Sequence, residues 1–416
     1  MHVLIAGCGI AGLTTALSLH AAGIEAQLVD SASELKPLGV GINLLPHAVR
    51  ELTELGLGEQ LAAAGIATSE QAHFDRHGRL VWSESRGRRL GYDWPQYSIH
   101  RGELQMILLA AVRDRLGPRA VETAATLTGF TEHDGSVGVL LSSRRNDRVV
   151  PVSADVLVGA DGLYSAVRAQ LHPAEPPPRW SGVMLWRGTA EGAPFLSGSS
   201  LAIAGSTTSV KFVAYPIARR PGGRALVNWV AEVMIGGAEP PIRPDWNREG
   251  RLAEALPHFQ GWTFDWLDIP GLMTRTPEIL EYPMVDRDPL PFWGRGRVTL
   301  VGDAAHPMYP IGSNGGSQAI IDARVLAREL AAAATPADGL AAYEAARLPV
   351  VNQIVLANRD MPVDQVLDMV SARAPDGFER IEDVLAPAEL AALRDGYRAT
   401  SLPDVAALNA RPPLLA

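Results

Sequence analysis

The feature that most constrains the fold lies in the first thirty of 416 residues. His2 to Ala6 is a short apolar run, and Gly7-Cys8-Gly9-Ile10-Ala11-Gly12 follows it. Ile10, Leu13, Leu17 and His20 then recur at helical spacing. Gly23 stops that helix, Glu25 to Val29 reads as a second strand, and Asp30 closes it. The order of strand, G-x-G-x-x-G, helix, strand and acid specifies a β-α-β unit that holds a dinucleotide. Gly7 permits the tight turn, Gly9 lets backbone approach a pyrophosphate, and Gly12 lets the helix pack close to the sheet. The helix N-terminus faces the negative charge. Asp30 can accept hydrogen bonds from a ribose. An acid there argues against a 2′-phosphate, hence against NADP at this loop. It does not separate NAD from FAD.

Two later segments do. "DVLVGADGLYSAVR", from Asp155, is a buried strand, then Gly159-Ala160-Asp161-Gly162, then a helix start. "RVTLVGDAAHPMYPIGSNGGSQAIIDARVLARELA", from Arg297, is another buried strand, Gly302-Asp303, a proline-bearing loop and a glycine cluster that opens a long helix. Ile320, Ile321, Val325, Leu326 and Leu330 give that helix an apolar face. Gly312, Asn314, Gly315 and Gly316 stand at its start, where free N–H groups and the helix dipole favour an anion.

With these three motifs in order, the chain resembles the single-component flavoprotein aromatic hydroxylases, whose prototype is p-hydroxybenzoate hydroxylase. Within them the pattern is nearest to the hydroxylases of 5-methylphenazine-1-carboxylate type. "PQYSIHRGELQMILLAAVRDRLG", "MLWRG", "KFVAYPI" and "MYPIGSNGGSQAI" carry that likeness, which runs to about Asn358 and weakens beyond it. The resemblance implies an α/β fold: a Rossmann-like FAD-binding domain with an inserted antiparallel-sheet substrate domain and a C-terminal helical segment. The expected divisions are 1–70, 97–178 and 283–360 for FAD, 71–96 and 179–282 for substrate, and 361–416 for the tail.

The resemblance also implies roles. Gly7, Gly9, Ala11 and Gly12 line the FAD pyrophosphate, and Asp30 takes the adenosine ribose, where many relatives have Glu. Gly41, Arg101 and Gln105 contact the cofactor, Arg101 on its flavin side. Leu127 lies by the adenine through its backbone. Asp161 and Gly162 serve both FAD and the nicotinamide donor, and Asp303 binds the ribityl chain. Pro310, Gly312, Asn314, Gly315 and Gly316 face the flavin. The chemistry implied is reduction of FAD by NADH or NADPH, uptake of O2 into a C4a-hydroperoxyflavin, and oxygen transfer to an electron-rich ring. The cofactor carries the hard step, while the protein orients substrate and excludes water. No general base stands out, and no second glycine fingerprint exists for NAD(P)H, so that donor is expected to bind transiently.

Between Gly182 and Tyr282, "GVMLWRGT", "KFVAYPIA" and "ALVNWVAEV" read as aromatic-bearing strands separated by turns such as "RRPGGR". Trp186, Arg187, Tyr215, Trp229 and Tyr309 are the candidate walls of a pocket for a flat aromatic or heteroaromatic substrate. Against this stands the commoner role of a strand aromatic as core. Arg187, in an apolar strand, needs an anionic partner, either a substrate carboxylate or a buried acid.

Composition narrows the alternatives. A net charge of −9 gives no basic footprint for nucleic acid. No apolar run reaches the roughly 20 residues of a membrane span, and the chain starts directly with a strand, so a cytoplasmic protein is expected. A homodimer is a further expectation. One cysteine, Cys8, excludes an intrachain disulfide and a disulfide-reductase reading, and reads as a small packed residue. The ten histidines show no metal spacing, so no metal is expected, and His306 reads as structural. A flavin-dependent halogenase is the runner-up. It needs an active-site lysine between the glycine loop and the D-G motif, yet no lysine lies between Lys36 and Lys211, and "FDWLDIP" only approaches the W-x-W-x-I-P motif. A flavin-binding redox protein that does not hydroxylate is the third reading. Ala341 to Asn358 reads as a helix, followed by pieces near Val363–Ser371 and Pro387–Arg394 and a loosely held "NARPPLLA" end.

Overall fold

A computed structural model describes residues 1–144, 148–243, 245, 247–360, 364–393 and 402–415. The apolar runs of the three motifs become neighbours in one five-stranded parallel sheet. Its spatial order is Val298–Leu300, Val156–Gly159, His2–Ala6, Glu25–Asp30 and Val121–Thr123. Such strands are covered on both faces, which is why they carry no polar alternation. Helix Ile10–Ala21 crosses one face, buried from Ala11 to Leu19 between helices Arg101–Leu116 and Asn314–Ala332. A meander of Ala125–His133, Ser136–Ser143 and Arg148–Ala154 flanks the sheet.

The inserted region forms the middle of a seven-stranded sheet. Its order is Ile279–Asp286, Arg179–Gly192, Ala225–Met234, Val210–Arg219, Ser200–Gly205, Glu70–Phe74 and Leu80–Ser85. All pairs are antiparallel except the parallel contact of Ser200–Gly205 with Glu70–Phe74. Alternate residues face opposite ways. The back face packs Trp186, Phe212, Trp229, Phe259 and Trp262 into one aromatic core. The front face looks toward the cofactor side with Leu185, Val230 and Tyr282.

The long helix opened by the glycine cluster spans Asn314–Ala332 and is buried nearly all round. Its inward charges are therefore paired. Arg324 meets Glu51 and Glu54, and Asp322 meets His306 at 2.5 Å and Arg347 at 2.9 Å. The next helix is longer than its apolar period suggests, running Pro336–Arg359, because Thr335 caps it through Asp338. Of the two later pieces, the first is helix Gln365–Arg373, which packs Val366, Leu367 and Val370 on the front face near Leu201 and Ile203. The second is helical over residues 387–393. Val363 and Arg394, the expected outer ends of these pieces, lie outside the described residues. The "NARPPLLA" end is not loosely held. Leu408 is buried, the Arg411 carbonyl accepts from Arg50 at 2.5 Å, and the Arg411 guanidinium pairs with buried Glu51. A chain end that buries an ion pair and an apolar side chain does not fray. Among the described residues no helix is long and apolar enough to cross a membrane, and no His/Cys/Asp/Glu group could hold a metal ion.

Two buried histidines tie this fold to pH. Burial, reinforced by Arg347 and Arg411 at His47 and by Arg86 and Lys211 at His73, holds both histidines down at about 3. In the unfolded chain each takes up a proton near pH 6.5, whereas in the fold it does not until about 3. Stability is therefore lost as pH falls through that window, by about 1.4 kcal/mol per pH unit for each such group. Thermal melts between pH 7 and pH 5 should show a steep decline that is shallower in His47→Leu.

Candidate active site

The three motifs and the front of the large sheet enclose one continuous cleft of about 740 Å³. One end is walled by the glycine loop, Asp30 and Leu127, the middle by Arg101, Asp161, Asp303 and the Pro310–Gly316 loop, and the far end by the sheet.

The glycine loop is as tight as its sequence requires. A Cβ on Gly12 would overlap the Gly7 carbonyl oxygen, and Gly7 itself sits at φ +107° against Ala160. Asp30 braces the loop. One carboxylate oxygen accepts the Cys8 N–H at 2.7 Å and the other the Ala32 N–H at 2.8 Å. Gln105 donates to the Cys8 carbonyl at 2.8 Å. Cys8 is fully buried, and burial, with Asp30 beside it, pushes its thiol far up, which leaves no nucleophile there. Asp161 caps helix Ala166–Leu171 through the Ala166 N–H at 2.7 Å, and its other carboxylate oxygen is buried with no protein partner among the described residues. Gly302 permits a close approach, since a Cβ there would lie 2.7 Å from the Ala11 Cβ. Beneath it Asp322 accepts from the Gly302 N–H at 3.1 Å, and Arg347 and His306 hold that carboxyl below the usual range against its burial. Ser313, at φ +60°, turns the chain into helix Asn314–Ala332, so that the free N–H groups of its first turn open onto the cleft.

These observations test the cofactor. A glycine cradle that a Cβ would fill, an acceptor at the end of the second strand, an orphaned buried oxygen on Asp161 and a helix N-terminus together fit an elongated dinucleotide with an anionic ring edge. All of the sequence candidates for the cofactor line this cleft except Gly12, which lies behind the loop as a packing residue.

The substrate candidates divide. Arg187, Tyr215 and Tyr309 line the cleft. Trp186 and Trp229 do not. Both belong to the back-face core, with their indole N–H groups donating to Glu281 at 3.2 Å and Thr276 at 2.7 Å. The reason is parity: adjacent strand residues cannot share a face, so Arg187 in the cleft puts Trp186 behind it. Among the described residues Arg187 makes no hydrogen bond or salt bridge to an acid, although Glu232 lies diagonally across from it. It donates to the Tyr282 hydroxyl and to the Gly41 carbonyl, both at 2.7 Å, and also meets Tyr215. Burial pushes the Tyr215 hydroxyl up, with Arg187 opposing. The Gly41 N–H donates to Asn228 at 2.7 Å, and a Cβ on Gly41 would lie 2.7 Å from that side chain. Sequence reasoning missed Asn228 and Tyr282. The alternation 185, 187 and 228, 230, 232 could have found Asn228, whereas Tyr282 needed the pairing of two distant strands. Trp266, in the halogenase-like segment, is packed on the back face against Phe74 and Phe264.

This is the cofactor fold and cleft of a flavoprotein. The family described as FAD binding domain matches residues 1–187 and 287–358, more than half of the chain, and the unmatched middle falls within the large sheet. The chain is 48% identical over 400 residues to a protein named phenazine 1,6-dicarboxylic acid hydroxylase PhzS from Lysobacter antibioticus, covering 95% of this chain and 96% of that one. It is 34% identical over 365 residues to 3-amino-4-hydroxybenzoate 2-monooxygenase PtnB3 from Streptomyces platensis, covering 86% and 87%. The fold matches Klebsiella pneumoniae HpxO, solved with FAD and uric acid, at a TM-score of 0.74 and 24% identity over 96% and 95% of the chains. The chain therefore belongs to the FAD-dependent aromatic hydroxylases. It is a flavin monooxygenase with FAD as cofactor, and its substrate is a small aromatic molecule.

Gly12→Ala should force the helix off the sheet at an overpacking cost of about 1–3 kcal/mol. The purified variant should retain less FAD per chain by absorbance at 450 nm and melt earlier than the wild type.

Proposed function

We propose that this enzyme hydroxylates a flat heteroaromatic acid of the phenazine-carboxylate class, using NADH or NADPH and O2. One observation carries the reading. On the front face, Leu185, Val213, Val230 and Ile203 form a flat apolar floor, and Arg187 stands at its margin opposite Val230 in register. A planar ring system fits such a floor, and a guanidinium fork at its margin suits a carboxylate. The similarity to a phenazine dicarboxylate hydroxylase supports the same class.

The same proposal assigns the cofactor contacts. Gly7, Gly9 and Ala11 hold the pyrophosphate, with Gly12 letting the helix close behind them. Asp30 takes the ribose, Leu127 the adenine, Asp303 the ribityl chain, and Arg101 with Gln105 the middle of the cofactor. Gly41, Asp161, Gly162 and Pro310 border the isoalloxazine. Gly312, Asn314, Gly315 and Gly316 would offer backbone N–H groups to an anionic edge of the cofactor. Bound FAD supplies the activation of O2 and its transfer to the ring. The protein holds the acceptor carbon over the flavin, keeps water out with the sheet and the Tyr309 wall, and fixes the carboxylate at Arg187. Residues 1–70, 97–178 and 283–360 then act as the cofactor unit, with 71–96 and 179–282 as the substrate unit. A cytoplasmic homodimer completes the proposal, and light scattering checks the mass.

Aerobic turnover with NADH and NADPH against phenazine carboxylates, hydroxyquinolines and hydroxybenzoates tests it. The expected product gains one oxygen atom by mass spectrometry, with phenazine carboxylates turned over fastest. Peroxide release at a rate no aromatic changes would overturn the reading. Arg187→Met should lower kcat/KM for the carboxylated substrate roughly 10- to 150-fold, the value of a charged hydrogen bond. Arg187→Lys should restore little, because an ammonium lacks the planar fork. Flavin content measured alongside separates this from disturbance at Gly41.

A further inference from the structure

The cleft does not end at Arg187. One rung further along the front face, Glu232 lies opposite Leu185 on one side and Lys211 on the other. Lys211 is buried and reaches Glu232 at 2.9 Å and Asp364 at 2.6 Å. Asp364 comes from the C-terminal segment, just before helix Gln365–Arg373, and is 1% exposed. All three residues line the same cleft. The next layer adds no free charge to this edge. Arg86 is paired with Glu84 at 3.2 Å and bonded to Gln71 at 2.9 Å.

The chemistry of this edge is unbalanced. Glu232 and Asp364 both bond the one ammonium of Lys211, burial holds the Glu232 carboxyl above its usual range while Lys211 and Arg187 oppose this, and the second oxygen of Asp364 is buried with no hydrogen-bond partner among the described residues. A buried acceptor of this kind calls for a donor. A carboxylate arriving here would meet two carboxylates at short range, whereas an N–H would complete the set. The opposite holds at Arg187, on the neighbouring rung. Leu185 and Val230 flank the diagonal from Arg187 to Glu232, and Asp364 lies beyond Lys211, so Arg187 and Asp364 read different parts of one flat ligand.

We infer that Glu232, Lys211 and Asp364 form a substrate-orienting subsite that accepts a hydrogen-bond-donating, positively polarised ring edge, such as a ring N–H or a protonated aromatic amine, and turns anionic substituents away toward Arg187. The inference rests on reading this cavity as the substrate pocket. It also makes the C-terminal segment a wall of that pocket. Asp364 supplies the acceptor, and Asp368 fastens the segment by accepting from Ser206 and the Thr207 N–H, each at 2.8 Å.

Equilibrium binding of three flat tricycles to the FAD-loaded enzyme tests it, read by the flavin difference spectrum. The ligands are 9-aminoacridine, a cation at neutral pH, neutral acridine, and acridine-9-carboxylate. The wild type should bind 9-aminoacridine about tenfold more tightly than acridine. Asp364→Asn and Glu232→Gln should each remove most of that preference and change acridine binding less than twofold. Asp368→Asn loosens the same segment without touching the edge, so it should weaken all three ligands alike and leave their ratio unchanged. Equal affinity for 9-aminoacridine and acridine in the wild type, or a ratio that neither edge variant moves, would overturn the subsite. Binding of none of the three would overturn the pocket reading as well. Failure to hydroxylate phenazine carboxylates with the 9-aminoacridine preference intact would overturn only the choice of substrate.

Discussion

The active site depends on one joint. Gly41 gives its N–H to Asn228 and its carbonyl accepts from Arg187, so a single residue of the cofactor side is gripped by two strands of the large sheet. No side chain larger than hydrogen fits there, because a Cβ would press on both Asn228 and Tyr215. This contact joins the cofactor side to the large sheet across the cleft. It sets the sheet's front face over the Pro310–Gly316 loop, and it commits two of the Arg187 donors to structure while leaving the Nε atom buried without a partner among the described residues.

A second network supports the opposite wall. Asp322, on the long helix, accepts from Gly302, His306 and Arg347 at once. This fixes the turn that carries Asp303. The arrangement uses a buried carboxylate as a hub rather than as a reagent, which is consistent with a protein whose cofactor carries the reactive chemistry. His306 belongs to this hub, so its place after Gly302-Asp303 reflects packing.

The parallel sheet, its helix and the cofactor cleft were legible because they are written locally. Strand, turn and helix follow each other within thirty residues around Gly7, and the late motif repeats the pattern around Gly302. The substrate side was legible only as a kind of structure. Alternation within "VMLWRG" was visible, yet naming both Trp186 and Arg187 as pocket walls ignored that they alternate. Which parity faced inward was set by partners far away, at Tyr282 and Asn228. The buried Lys211–Glu232–Asp364 set was out of reach for the same reason, since it joins positions 21 and 132 residues apart. The tail was misjudged because proline and alanine near Arg411 signal looseness, while the ion pair with Glu51 that ties it down lies 360 residues away.

The strand order carries a consequence for synthesis. His2–Ala6 is the central strand of its sheet, yet its two immediate neighbours come from Glu25–Asp30 and Val156–Gly159, and the edge beyond the latter from Val298–Leu300. In chain order, His2–Ala6 therefore gains one neighbour from Glu25–Asp30 soon after it is made and the other only with Val156–Gly159, more than a hundred residues later. The last contacts to form, at Asp364 and Arg411, lie on the pocket and on the helix beside it. The cofactor cleft draws on Gly7, Asp161 and Asp303, so neither it nor the room for a substrate is complete until the late motif and Asp364 have been added.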